Sequence, residues 1–173
     1  MTLKNYLCIL GAIILLMGGN TMTAQKSARV KEYDLKAAFL YRFIDYIDWG
    51  GNSKNKLISI DILGECPIAK SLTDITNSNK IDVKVFSNLN EMGLCNILFV
   101  PKNSPIPIET ILSAYSKKPV LIVSEQKGYG HKGTHMNFVI VDDKLKFEIN
   151  LGALKKDGIG ISSFLLQHGI IVE

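Results

Sequence analysis

Apolar and polar positions alternate most clearly toward the C-terminal end of the chain. From Asn137 to Asn150, two runs of β-forming residues flank Asp142-Asp143-Lys144, and a short polar break between such runs predicts a hairpin. In the second run Leu145, Phe147 and Ile149 alternate with Lys144, Lys146, Glu148 and Asn150, so one face should be buried and the other wet or rimmed by charge. The first run, Phe138 to Val141, is apolar on both faces, which predicts a strand covered above and below. Asn150 stands where its side-chain oxygen can cap a helix starting at Leu151.

Upstream, the period changes. After a polar stretch from Gln25 to Glu32, residues Tyr33 to Asp48 read as a first helix. Leu35, Ala38, Phe39, Arg42/Phe43, Tyr46 and Ile47 keep helical spacing, while Leu40, Tyr41 and Ile44 widen the apolar arc. Trp49-Gly50-Gly51 should stop it. An arc this wide and aromatic predicts packing against a sheet and, for the surplus, against a second subunit or partner. Arg42, a cation amid these rings, needs a carboxylate or a ring face.

Leu57–Leu63 predicts a strand, and Pro67 suits the first turn of a short helix to about Thr76. Ile81–Phe86 alternates as a half-exposed strand, whereas Cys95–Val100 and Pro119–Val123 read as buried ones. A helix from Glu109 to Ser116 lies between the last two, behind Pro105 and Pro107. A final helix over Ile161 to Gln167 precedes Ile170–Val172. Strands alternating with short helices predict one three-layer α/β/α sandwich, a mostly parallel sheet closed by the C-terminal β-hairpin.

The beginning of the chain stands outside that pattern. Lys4, an apolar run from Tyr6 to Met17 and a small, polar exit describe a secretory signal peptide, cut after Ala24. An uncleaved anchor is the alternative, but the run is short of the about 20 apolar residues that span a bilayer. Cys8 sits early in the run and is not placed for lipidation. On this reading 1–24 is a leader, 25–173 a single domain, and a bacterial periplasm its destination.

The formal net charge is +4, and the leader contributes one lysine and no acid to it. Scattered lysines among acids exclude a nucleic-acid binder, which needs a concentrated basic patch. Cys66 and Cys95 are the cysteines left after cleavage. An even number in an exported chain suggests a disulfide, with two free buried thiols as the alternative.

Candidate chemistry is thin. Gly128, Gly130 and Gly133 match a G-x-G-x-x-G spelling, but a strand follows instead of the helix that must hold a pyrophosphate. These glycines read as a loop tolerating positive φ. His131 and His135 are four apart, yet the intervening glycine argues against a shared helical face, and no glutamate follows His131 as a hydrolytic zinc site requires. A surface loop with two titratable histidines is expected; His168 could be a third ligand, but the sequence alone does not bring it near. Ser162-Ser163 lacks a nucleophile elbow and suits a helix start, and Asp142-Asp143 suits a turn. No catalytic residue, metal or cofactor is expected.

Lys36 to Trp49, Ile62-Leu63-Gly64 with Cys66-Pro67, Cys95 to Phe99, and Phe147 to Asn150 followed by Ile161 to Leu166 resemble, in this order, the YfiR family. The resemblance implies a periplasmic α/β regulator, often dimeric, that represses an inner-membrane diguanylate cyclase by binding its periplasmic portion. It also implies that Cys66 and Cys95 are the family's disulfide pair. A second cysteine pair, present in some members before the hairpin, is replaced here by glycines and histidines. The leading expectation is therefore a non-catalytic homodimer that restrains a membrane signalling protein, with Phe39, Arg42, Phe43, Tyr46 and Phe164 as its contact surface. The alternative is a module for a small aromatic or cell-wall-derived ligand near Arg42, Tyr46 and the Gly128–His135 loop. A metal-dependent hydrolase using His131 and His135 comes third.

Overall fold

Hydrophobic burial in this protein is divided by one twisted sheet. The computed structural model describes residues 28–49, 57–76 and 81–173; the expected leader and the Gly50-Gly51 stop lie outside the described residues. Helix α1 runs over residues 28–46 and passes into a two-residue strand, β1 (Ile47–Asp48). The expected helix thus ends two residues early, because Ile47 and Asp48 pair antiparallel with Ile161 and Gly160 of β8 (Gly160–Ile161).

The main sheet has seven strands: β2 (Ile58–Leu63), β3 (Ile81–Phe86), β4 (Ile97–Val100), β5 (Leu121–Ser124), β6 (Met136–Val141), β7 (Lys144–Asn150) and β9 (Ile170–Val172). Their spatial order is β3-β2-β4-β5-β6-β7-β9. Every neighbouring pair is parallel except β6 and β7. The mixed α/β fold with a mostly parallel sheet and a C-terminal hairpin is as expected. Buried strands β4 and β5 sit inside the sheet, and half-exposed β3 forms its edge.

Helices α2 (Ile68–Thr76), α3 (Ile108–Tyr115), α4 (Tyr129–Lys132), α5 (Leu151–Lys156) and α6 (Ser163–His168) complete the fold with a 3-10 turn at Leu89–Glu91. Two cores result. One joins α1, α2, α5 and α6 to Ile60, Ile62, Ile97, Phe99, Phe138 and Phe147; the other joins α3 to Leu63, Leu98, Val100 and Ile122. Alternation along β4 and β5 sends successive side chains to opposite cores, Ile97, Phe99, Leu121 and Val123 to the first and Leu98, Val100 and Ile122 to the second, which is why both strands read as apolar on both faces.

The hairpin is a two-residue loop. Val141 faces Lys144 in register, and Asp142 and Asp143 both have positive φ, 50° and 56°. That is the twist-matching turn that aspartate tolerates better than most side chains. The first hairpin strand is less covered than expected: Ile140 is 56% exposed, because β5 stops alongside Asn137 while β6 continues to Val141. Asn150 does cap α5, its Oδ1 accepting from Ala153 N–H at 2.8 Å, and Ser162 caps α6 through Leu165 N–H.

Candidate functional site

Helix α1 is phased differently from its sequence reading. Its inward positions are Tyr33, Lys36, Ala37, Leu40 and Phe43, with Ile47 of β1 buried just beyond them, while Leu35, Ala38 and Arg42 point outward. Phe43 is fully buried, with ring centroids 5.3 Å from Phe147 and 6.1 Å from Phe138. Phe39 is half-buried at the same cluster, 5.6 Å from Phe147. Arg42 leaves the aromatics altogether and meets Asp45 at 3.6 Å in solvent.

Farther along, Tyr46 and Phe164 stack with centroids 4.7 Å apart, and His168 lies 4.4 Å beyond Phe164. Phe164 is 48% exposed. The main chain ties the helices together at the same place, Ser162 N–H donating to Tyr46 O at 3.0 Å. So the five expected contact residues separate into a core ring (Phe43), a half-covered ring (Phe39), a solvent ion pair (Arg42) and an outer stack (Tyr46 and Phe164).

The Gly128–Gly133 segment is not a loop but a one-turn helix, α4, with glycines of positive φ at each end (83° and 108°). It covers the β6–β7 sheet on the face where α3 lies, with Tyr129 against the second core, whereas α1 packs on the first. Arg42 and Tyr46 therefore do not meet Gly128, Gly130, His131, Gly133 or His135, and the ligand site drawn from all of them is divided by the sheet.

The two histidines also part. His131 is exposed on α4, its Nδ1 3.0 Å from Glu173 O. His135 is 1% exposed: past the left-handed Gly133 the chain turns inward. Its Nδ1 accepts from Ile122 N–H at 2.9 Å, which leaves the proton on Nε2, 3.1 Å from Asp157 Oδ2. Burial holds the imidazole below its ordinary pKa, the Asp157 carboxylate opposing this. The surface pair expected there is instead one surface and one core histidine. Among the described residues, no three His, Cys, Asp or Glu side chains gather as a metal set.

The expected disulfide is not formed: Cys66 and Cys95 are free. Cys66 follows β2 at the carboxyl edge of the sheet, against the first core; Cys95 precedes β4 at the opposite edge, within the second core. A six-residue strand spans roughly 17–20 Å, and a disulfide needs Cα atoms within about 7 Å. Parity misled because it carries no geometry. Both thiols are raised, chiefly by burial; Cys95 also lies beside Asp61.

What sequence reading missed lies at the carboxyl ends of the parallel strands. A cleft of about 550 Å³ opens there between the start of α1, the segments after β4 and β5, and the projecting hairpin. Open α/β sheets place ligands at this position. In its wall Lys36, 5% exposed, pairs with Glu32 and with Glu125, whose Oε2 is 2.5 Å away. Glu125 Oε1 also accepts from Tyr33 O–H and from Lys102 N–H, each at 3.1 Å. Burial, then Glu125, push the Tyr33 phenol up. A second polar chain runs below: Ser124 Oγ lies 2.7 Å from Asn137 Oδ1, and Asn137 Nδ2 donates to Glu148 at 2.8 Å. The available signal was Lys36 itself, i+4 from Glu32 and in the inward phase with Tyr33 and Leu40.

These features define a three-layer α/β domain whose described residues carry an exposed aromatic stack and a carboxyl-end cleft, with no nucleophile–base pair at either. No described helix is long and apolar enough to cross a membrane. The chain belongs to the YfiR/HmsC-like family, whose model matches residues 33–169. The family is one of periplasmic regulators. No curated protein matches the chain.

Proposed function

We propose that residues 1–24 export the chain, and that the mature domain, as a homodimer, binds the periplasmic portion of an inner-membrane signalling protein and holds it inactive. The target is of diguanylate cyclase or sensor kinase type. Family membership supports this reading. The observation that carries it to residues is the outer stack of Tyr46, Phe164 and His168, aromatic surface that the domain's own core leaves half in water. Exposed aromatics are the side chains most often found as anchors of protein interfaces. Phe43 serves the core, and Phe39 bridges the two roles.

The test is a Tyr46→Asp/Phe164→Asp double variant of the whole protein. Wild type should co-purify a signalling protein from inner membranes and lower its output in cells. The variant should keep the far-ultraviolet circular dichroism spectrum while losing both capture and repression. Equal repression by a folded double variant overturns the assignment of this face, and failure of wild type to repress any membrane signalling protein overturns the function.

A further inference from the structure

The hairpin strand β6 has an unfinished edge inside the carboxyl-end cleft. β5 pairs with β6 only at Met136 and Asn137, and the strand continues four residues farther, to Val141. Asn150 N–H donates to His135 O, so odd-numbered residues of β6 exchange main-chain bonds with β7. The N–H and C=O of Ile140 therefore turn the other way, toward the side that β5 does not reach. Phe138, Val139, Ile140 and Val141 all line the cleft. Residues of both strand faces reach it, as they do where a groove follows a strand's edge.

The lining holds three carboxylates and three lysines, but they are not all paired with one another. Glu32 and Glu125 hold Lys36, and Glu148 accepts from Asn137. Lys102 and Lys127 also line the cleft, and among the described residues their ammonium groups have no ion pair or hydrogen bond. The carboxylates are engaged while two exposed cations are not.

We propose that this cleft is a docking groove for an extended acidic segment of a partner protein, which adds as a strand to the open edge of β6 and meets Lys102 and Lys127 with its carboxylates. Main-chain pairing supplies the affinity, alternate side chains fill the pockets beside the edge, and the two lysines select for negative charge. The groove is distinct from the Tyr46–Phe164 face and stands or falls independently of it. An apolar small molecule would leave the Ile140 main-chain groups unused, and a second copy of this chain would bring like charges, Lys102 and Lys127, to the same edge.

The probe is a labelled, acetylated ten-residue peptide of alternating valine and glutamate, titrated into the whole mature protein by fluorescence anisotropy. Saturable binding is expected, at least tenfold weaker for the matching valine–lysine peptide. Ile140→Pro removes the N–H that faces the groove and none of the N–H groups that bond β7, so binding should fall at least tenfold where the hairpin keeps its pairing. Lys102→Glu/Lys127→Glu should fall as far, and this surface variant keeps the test decisive if the proline variant does not fold. In hydrogen exchange, the Ile140 amide should gain protection on binding while Val139 is protected already. The proposal is overturned by no binding of the acidic peptide at millimolar concentration, by equal binding of the basic peptide, or by unchanged binding in the lysine variant. It is also overturned if Ile140→Pro breaks a dimer in the absence of peptide, or if a medium-chain fatty acid binds the cleft regardless of both variants.

Discussion

Acidification should weaken this protein through one side chain, His135. The folded imidazole receives the Ile122 N–H on Nδ1 and offers its single proton to Asp157. A second proton would have to sit on Nδ1, facing another N–H, inside a site 1% exposed. The folded pKa is accordingly depressed, chiefly by burial, while the unfolded one stays near 6.5. Below that pH the unfolded chain binds a proton that the folded one refuses, so stability falls as pH falls. The slope approaches about 1.4 kcal/mol per pH unit until the folded pKa is reached. Between pH 8 and 5.5 the loss can reach at most ~1.4 kcal/mol, the limit in which the folded imidazole stays neutral throughout. Urea unfolding at half-unit pH steps, followed by circular dichroism, measures it. His135→Gln is the control, since an amide oxygen can take the Ile122 N–H without titrating; it should cost ~1–3 kcal/mol at pH 8 and remove the extra slope. Parallel pH profiles for wild type and variant would refute the assignment, because exposed His131 and His168 and the carboxylates are common to both.

Lys36→Met should destabilise by ~3–5 kcal/mol in the same assay, since it strands Glu125 in its buried site, and adding Glu125→Gln should recover part of the loss. Phe43→Ala, deep in the Phe138–Phe147 cluster, should cost ~3–5 kcal/mol, whereas Phe164→Ala, which loses a half-exposed stack, should cost only ~0.5–1.5 kcal/mol and act chiefly on binding. Protein beginning at Gln25, unfolded without reductant, should titrate two free thiols; none would overturn the placement of Cys66 and Cys95 at opposite edges of the sheet.

The hairpin, the capping role of Asn150 and the buried strands were legible because each depends on residues close in sequence. The Asp142-Asp143 turn, flanked by alternating runs, states its own geometry. Helix α1 was legible as a helix but not in its phase, since apolar residues surround it and only the sheet decides which side wins. That choice puts Arg42 in water and Lys36 inside. The Lys36–Glu125 pair joins residues 89 apart, so no local pattern announces it. His135 was hidden for a related reason: its burial follows from Gly133 turning the chain under α4, a left-handed step that spelling alone does not reveal. The cleft exists because β5 is shorter than β6, a difference in strand ends that sequence reading resolves poorly.

The embrace of α1 by the hairpin sets the order in which the molecule can be made. Tyr33 reaches Glu125 across 92 positions, and Phe39 and Phe43 find Phe138 and Phe147 farther along still. Closing so long a loop is entropically late, and folds built on distant contacts assemble slowly. An emerging chain therefore carries its most aromatic helix unshielded until the hairpin has left the ribosome. Nascent or truncated chains that lack the hairpin should be the sticky species, clients for a holding chaperone, while the completed domain is not.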